Sequence, residues 1–248
     1  MKLLVDAGNS RIKWARLVND DLQYSGAINY TGPEVLEKLT AAWHELEVPE
    51  QVLIANVAGN SIGEVLDIIT RDLWGKSTVV ASVEKEYRGL KNAYRKISQL
   101  GIDRWLALIA SWVQYPAPVC LVSCGTAVTL DAIAKSGQHL GGLIIPGVFL
   151  QQEILNKYTS RINLEPGDNF KLNLGKSTDE CVSNGAVRSV VSLIESVKGE
   201  LTLEHGDNLS CIISGGYGGK INRLLPKQFI YEPDLVLKGL SIISADLQ

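Results

Sequence analysis

The chain has 248 residues, 46% of them hydrophobic and 21% charged, enough for one large domain or two small ones. A net charge of −3 offers no global basic field to nucleic acid or an anionic membrane, and 6% aromatics is thin for a base-stacking platform. No apolar run approaches the roughly 20 residues of a membrane span, and the first residues lack a signal-peptide core, so the cytoplasm is the expected location.

In chain order, Leu3 to Val5 reads as a buried strand and Ile12, Trp14 and Ala15 as its antiparallel partner. Between them lie Asp6 and Gly8-Asn9, a pair suited to a turn with positive φ. A carboxylate at a strand end can hold Mg²⁺, usually through water. Turn N–H groups can face phosphate oxygens, and Lys13 can neutralise charge. An ordinary hairpin with a solvated Asp fits the same residues. Leu22 to Ile28 predicts a third strand. Thr31-Gly32-Pro33-Glu34 predicts a helix start, followed by apolar spacing through about Leu46. Gln51 to Val57 predicts a buried strand, Ser61 a cap for a second helix, and Ser77 to Ala81 a short strand. Three antiparallel strands followed by alternating helix and strand is the order of a ribonuclease-H-like α/β half.

Tyr87 to Leu100 is polar, basic and aromatic, either a solvated connector or the wall of a site for an anionic substrate. Gly101-Ile102-Asp103-Arg104 opens a strongly apolar helix. Asp103 either answers the helix dipole or serves as a general base on a rigid seat, with Arg104 beside it for an anionic group. Tyr115-Pro116-Ala117-Pro118 breaks that helix and marks a boundary.

A second round begins there. Val119 to Val122, Val128 to Ile133 and His139 to Ile145 predict strands, with Ser123-Cys124-Gly125-Thr126-Ala127 as the first turn. The plan of residues 3–15 is repeated, and two halves that each open on such a hairpin suit a nucleotide-binding duplication. Phe149 to Ile162 predicts a helix and its exit, and 163–176 an irregular polar loop. Ser177 or Thr178 would cap the next helix. Gly175-Lys176-Ser177-Thr178 is not a Walker loop, because position 170 is Phe170 and no strand precedes it. Leu209 to Ser214 predicts a strand with a glycine-rich loop, 215–219, behind it. Pro233 to Ile243 predicts a short apolar helix. Cys120, Cys124, Cys181 and Cys211 read as buried free thiols rather than a disulfide frame or a zinc site. His44, His139 and His205 lack metal-ligand spacing and are expected to be structural or on the surface.

With these motifs in order, the chain resembles the type III pantothenate kinases from end to end. Asp6-Ala7-Gly8-Asn9-Ser10-Arg11-Ile12-Lys13 resembles that family's first phosphate motif, and Asn92-Ala93-Tyr94-Arg95 its substrate-contacting tyrosine region. Gly101-Ile102-Asp103-Arg104 resembles its G-x-D-R signature, and Gly125-Thr126-Ala127-Val128-Thr129-Leu130-Asp131 its second phosphate motif. Gly141 to Gly147 resembles its Pro-Gly turn, and Gly215-Gly216 its adenosine loop. The family belongs to the acetate kinase, sugar kinase, heat-shock ATPase and actin superfamily. The resemblance therefore implies an α/β fold of two ribonuclease-H-like halves, mixed sheets flanked by helices, with an ATP cleft between them. The halves would be residues 1–115 and 116–248, the final helix packing back on the first.

The resemblance also implies a reaction: transfer of the γ-phosphoryl of ATP to the primary hydroxyl of pantothenate, the first step of coenzyme A synthesis. Asp103 would be the general base. Asp6 would organise Mg²⁺ through water, the 6–13 turn and Thr126 would cradle phosphates, and Gly215-Gly216 would take adenosine. Tyr94, Gly101, Ile102, Asp103, Arg104 and Thr178 would hold pantothenate, Thr178 from across a homodimer. A weak relative acting as an accessory protein, or another small-molecule kinase, is the alternative. The family's second phosphate motif begins with an Asp that helps bind K⁺ or NH₄⁺. Here that position is Ser123, which predicts a weakened or lost monovalent-cation site. Strand alternation does not settle whether Asp131 points where it could compensate.

Overall fold

The computed structural model describes residues 1–30, 34–160, 162, 164, 167 and 170–246. The chain divides into two units: 1–87, 94–110 and 235–248 in the first, and 88–93 with 111–234 in the second.

In the first unit, β1 (Lys2–Ala7), β2 (Arg11–Val18) and β3 (Asp21–Asn29) form an antiparallel meander. α1 (Val35–His44) and α2 (Asn60–Trp74) alternate with β4 (Gln51–Asn56) and β5 (Thr78–Val80), which run parallel to β1. The sheet order is β3-β2-β1-β4-β5. β1 is central and covered on both faces, so it reads as a continuous apolar run up to Asp6. Leu3, Val5 and Ala7 face a core shared with Leu39, Trp43, Leu66 and Ile69 of the two helices. Trp43 packs edge-on to Trp14 and stacks on Trp74, at 6.1 and 5.9 Å between ring centroids. The expected start of α1 at 31–33 lies outside the described residues. Ser61 does not cap α2: the helix begins one residue earlier and Gly59 holds the cap position with φ +94°. The Asn56 side chain organises that entry instead, donating to the Gly59 carbonyl and accepting from the Ala58 N–H.

A two-residue hairpin, β6 (Glu86–Tyr87) and β7 (Leu90–Lys91), and one 3-10 turn at Ile97–Gln99 lead to α3 (Ile102–Gln114).

The second unit repeats the plan. β8 (Val119–Cys124), β9 (Ala127–Ile133) and β10 (His139–Pro146) are antiparallel. α4 (Val148–Tyr158) and the 28-residue α5 (Thr178–His205) follow, then β11 (Ser210–Ser214), α6 (Gly218–Asn222) and β12 (Ile230–Tyr231). The order β10-β9-β8-β11-β12 matches the first sheet strand for strand, with β11 and β12 parallel to β8. Ser177, not Thr178, caps α5: its hydroxyl accepts the Glu180 N–H at 3.2 Å while the Glu180 carboxylate accepts the Lys176 N–H at 2.6 Å. Val187, Val190, Val191 and Ile194 of α5 bury against Cys120, Val122, Leu130 and Ile213. The final helix, α7 (Leu235–Ser244), packs on β1, β2 and β4 of the first unit. Gly239 lies so close to the Leu106 carbonyl that a Cβ would meet it at 2.3 Å. No helix among the described residues is long and apolar enough to cross a membrane.

Candidate active site

The first turn is built from β1 and β2. Asp6, half-buried at the end of β1, stands opposite Lys13 on β2 and beside Ala55 on β4. The Gly8 N–H donates to the Arg11 carbonyl at 3.0 Å and closes the turn. The Tyr30 hydroxyl donates to the Gly8 carbonyl at 2.6 Å from β3's exit. Asn9, Ser10 and Arg11 are exposed, while Ile12 is buried in the sheet. The expected positive φ is not found at Gly8 or Asn9. Glycine serves a different need here: a Cβ at residue 8 would press on the Arg11 carbonyl at 3.2 Å.

The second cluster of this unit lies at the start of α3. Gly101 leads into the helix, its carbonyl accepting the Trp105 N–H at 3.0 Å. The half-buried Asp103 folds back over this first turn, where Oδ1 accepts the Arg104 N–H at 2.8 Å. A Cβ on Gly101 would meet that oxygen at 2.5 Å, so the glycine makes room for the carboxylate. Asp103 is the acidic residue of the helix's first turn, where negative charge complements the helix dipole. Ile102 is buried beneath it. Arg104 is only 6% exposed, and its Nη1 donates to the Tyr94 hydroxyl at 2.7 Å with the guanidinium 5.5 Å from the ring centroid. Tyr94, Gly101, Asp103 and Arg104 thus form one constellation within a single unit.

In the second unit three short motifs pack backbone to backbone. The Gly125 N–H donates to the Ala127 carbonyl, and the Gly147 N–H to the Thr126 carbonyl. A Cβ on Gly147 would stand 2.4 Å from the Gly125 carbonyl. Gly215, with φ +88°, leaves no room on its other side: a Cβ would meet the Cys124 carbonyl at 2.4 Å. The Gly125-Thr126 turn is therefore held between the Pro-Gly start of α4 and the Gly215-Gly216 loop. Thr126 and Gly216 are exposed, and Gly216 faces open space. Thr178, exposed, is the first residue of α5.

Ser123 sits half-buried opposite Thr129 on β9 and Ser214 on β11. Asp131 is 3% exposed, and its Oδ1 lies 2.9 Å from His139 Nε2. Its direction is therefore toward His139, which is itself buried and whose Nδ1 stands 3.5 Å from the Ala93 N–H. His139 is structural, as its isolated position implied. It fastens residues 88–93 to β10, while the Lys91 N–H donating to the Gly137 carbonyl ties the same segment to the β9–β10 turn and the Trp112 Nε1 donating to the Arg88 carbonyl ties it to α3.

An aromatic trio escaped sequence reasoning. Tyr217, within Gly-Gly-Tyr-Gly-Gly, lies 4.6 Å from Phe149 and 6.2 Å from Phe170, with Lys220 over the Phe170 ring. Tyr217 between paired glycines was the one available signal. The cysteine reading also needs correcting: Cys181 is exposed on α5, and Cys211 is only half-buried because it lies near the less covered start of β11. Among the described residues no group of three or more His, Cys, Asp or Glu side chains could hold a metal ion.

A sequence profile of the type III pantothenate kinases matches residues 2–199. A type III pantothenate kinase of Nitrosococcus oceani is 37% identical, over 99% of this chain and 94% of its own. Two solved structures share the fold. One, from Campylobacter jejuni and assigned to the Baf family of transcriptional activators, has a TM-score of 0.63 at 21% identity, covering 99% of this chain and 98% of its own. The other, from Sinorhizobium meliloti and assigned as a 2-dehydro-3-deoxygalactonokinase, has a TM-score of 0.57 at 12% identity, covering 100% and 99%. The chain belongs to the type III pantothenate kinase family.

Proposed function

We propose that the chain transfers the γ-phosphoryl of ATP to the primary hydroxyl of pantothenate, with Asp103 as general base. The observation that carries this reading is the constellation at the start of α3: a carboxylate on a rigid helix turn beside a buried guanidinium and a tyrosine. Phosphoryl transfer asks mainly for alignment and charge neutralisation, and a hydroxyl nucleophile gains from a carboxylate within hydrogen-bond reach. Asp103 takes the hydroxyl proton as the oxygen meets phosphorus. Arg104 and Tyr94 hold the polar body of the substrate, and Gly101 and Ile102 shape the floor beneath it. Thr178 of a second copy adds a hydroxyl from the start of its α5.

The ATP phosphates take the 6–13 turn and Thr126, and adenosine takes Gly215-Gly216. Asp6 suits Mg²⁺: a half-buried carboxylate at a strand end, with no group of three or more metal-ligating side chains among the described residues, fits an ion that keeps most of its water. When bound, that ion neutralises phosphate charge. Ser123 presents one neutral oxygen, and Asp131 is engaged by His139, so activity should depend little on potassium. A homodimer is supported by apolar residues left exposed on the edge strand β10, Leu143 and Ile144, and on α4, Ile154 and Tyr158.

A coupled assay tests the reaction: ADP release that requires pantothenate, with one 4′-phosphopantothenate per ADP by mass spectrometry. ADP release indifferent to pantothenate would refute it.

A further inference from the structure

Cys120 on β8 and Cys211 on β11 stand directly opposite each other on neighbouring parallel strands. Opposed residues point to the same face of a sheet, and both sulfurs lie on the α5 side, Cys120 buried and Cys211 half-buried. Strands run about 4.8 Å apart, within the roughly 4.4–6.8 Å between Cα atoms that a disulfide bridges. The Cys211 thiol donates to the Leu209 carbonyl at 3.7 Å, and the neighbouring Cys120 thiol, with the Lys198 and Lys227 ammonium groups, holds it below its ordinary range, against its partial burial. The adjoining Cys211 thiol and full burial push the Cys120 thiol up. Lys198 is itself seated 5.4 Å from the Phe229 ring centroid. A thiolate-forming, partly accessible cysteine beside a second thiol is the arrangement of a reactive and a resolving pair.

We propose that Cys211 and Cys120 form a reversible disulfide site for hydrogen peroxide. The Cys211 thiolate attacks one peroxide oxygen. The O–O bond breaks, and the leaving hydroxide takes a proton to become water. Cys120 then loses its proton and attacks the Cys211 sulfenic sulfur, displacing the hydroxyl as a second water. Two thiols are oxidised to one disulfide, and one peroxide is reduced to two waters.

The bridge needs Cβ atoms within about 4.5 Å, so it draws the two strands together. Three residues on, the same strands reach Ser123 and Ser214, which open the 125–126 turn and the 215–216 loop. Oxidation therefore weakens ATP binding several-fold. This consequence rests on the nucleotide roles proposed for those turns; the disulfide does not.

The test uses the full chain with Cys181→Ser, which removes the exposed thiol. Treatment with hydrogen peroxide should lower the intact mass by two hydrogens and link the peptides holding residues 120 and 211, and dithiothreitol should reverse both. C211S should form no bridge, and C120S should leave a sulfenic acid at Cys211 that dimedone traps. Peroxide-treated protein in which both thiols still alkylate, or Cys211 oxidised without a link to Cys120, would overturn the site. A fully bridged protein with unchanged ATP affinity would overturn the coupling. Failure of the reduced protein to bind ATP would instead count against the nucleotide roles.

Discussion

The two hairpins share one topology and differ in what they carry. The β1–β2 turn keeps a carboxylate, Asp6, facing Lys13 across the strand pair, and its loop is braced by the Tyr30 side chain. The β8–β9 turn has the neutral Ser123 at the matching place and is braced by backbone from two sides, at Gly147 and Gly215. A shared sheet order therefore does not imply shared chemistry. The first hairpin carries charged side chains, and the second is enclosed by neighbouring backbone.

Five substitutions at four positions can break or sharpen that contrast. Asp6→Asn should lower turnover about 10²–10³-fold, the scale for removing one preorganised electrostatic group, with the far-UV spectrum unchanged. Gly215→Ala, at φ +88° and against the Cys124 backbone, should destabilise the fold by about 1–3 kcal/mol in chemical denaturation. Tyr94→Phe leaves the buried Arg104 Nη1 without the hydroxyl that accepts it. The loss of about 1–2 kcal/mol should raise KM for pantothenate about tenfold and leave KM for ATP unchanged. Ser123→Ala should change turnover within about twofold, too little to shift a barrier by even half a kcal/mol. Exchange of potassium for sodium should do no more in the wild type, while Ser123→Asp should introduce a potassium response. A steep potassium requirement in the wild type would break the contrast.

Much of the frame was legible in the chain. β1, β4 and β8 are buried on both faces and read as apolar runs, and α3 declares itself by its composition. The Gly101-Ile102-Asp103-Arg104 stretch pointed to its helix start directly. What escaped depends on contacts between distant segments. Asp131 lies on a strand with both faces covered, so alternation carries no direction, and only His139 reveals it. Tyr217, Phe149 and Phe170 come from three separate elements. β12 is two residues long and has no period to read. The opposition of Cys120 and Cys211 follows from parallel register, which has no local signature.

The central claim is that Asp103 takes the proton. Pantothenate-dependent ADP release by Asp103→Asn, compared with wild type at equal pantothenate occupancy, tests it most directly. Turnover should fall about 10²–10⁴-fold, the usual span for a positioned general base, with pantothenate still bound. Turnover equal to that of the wild type would contradict it.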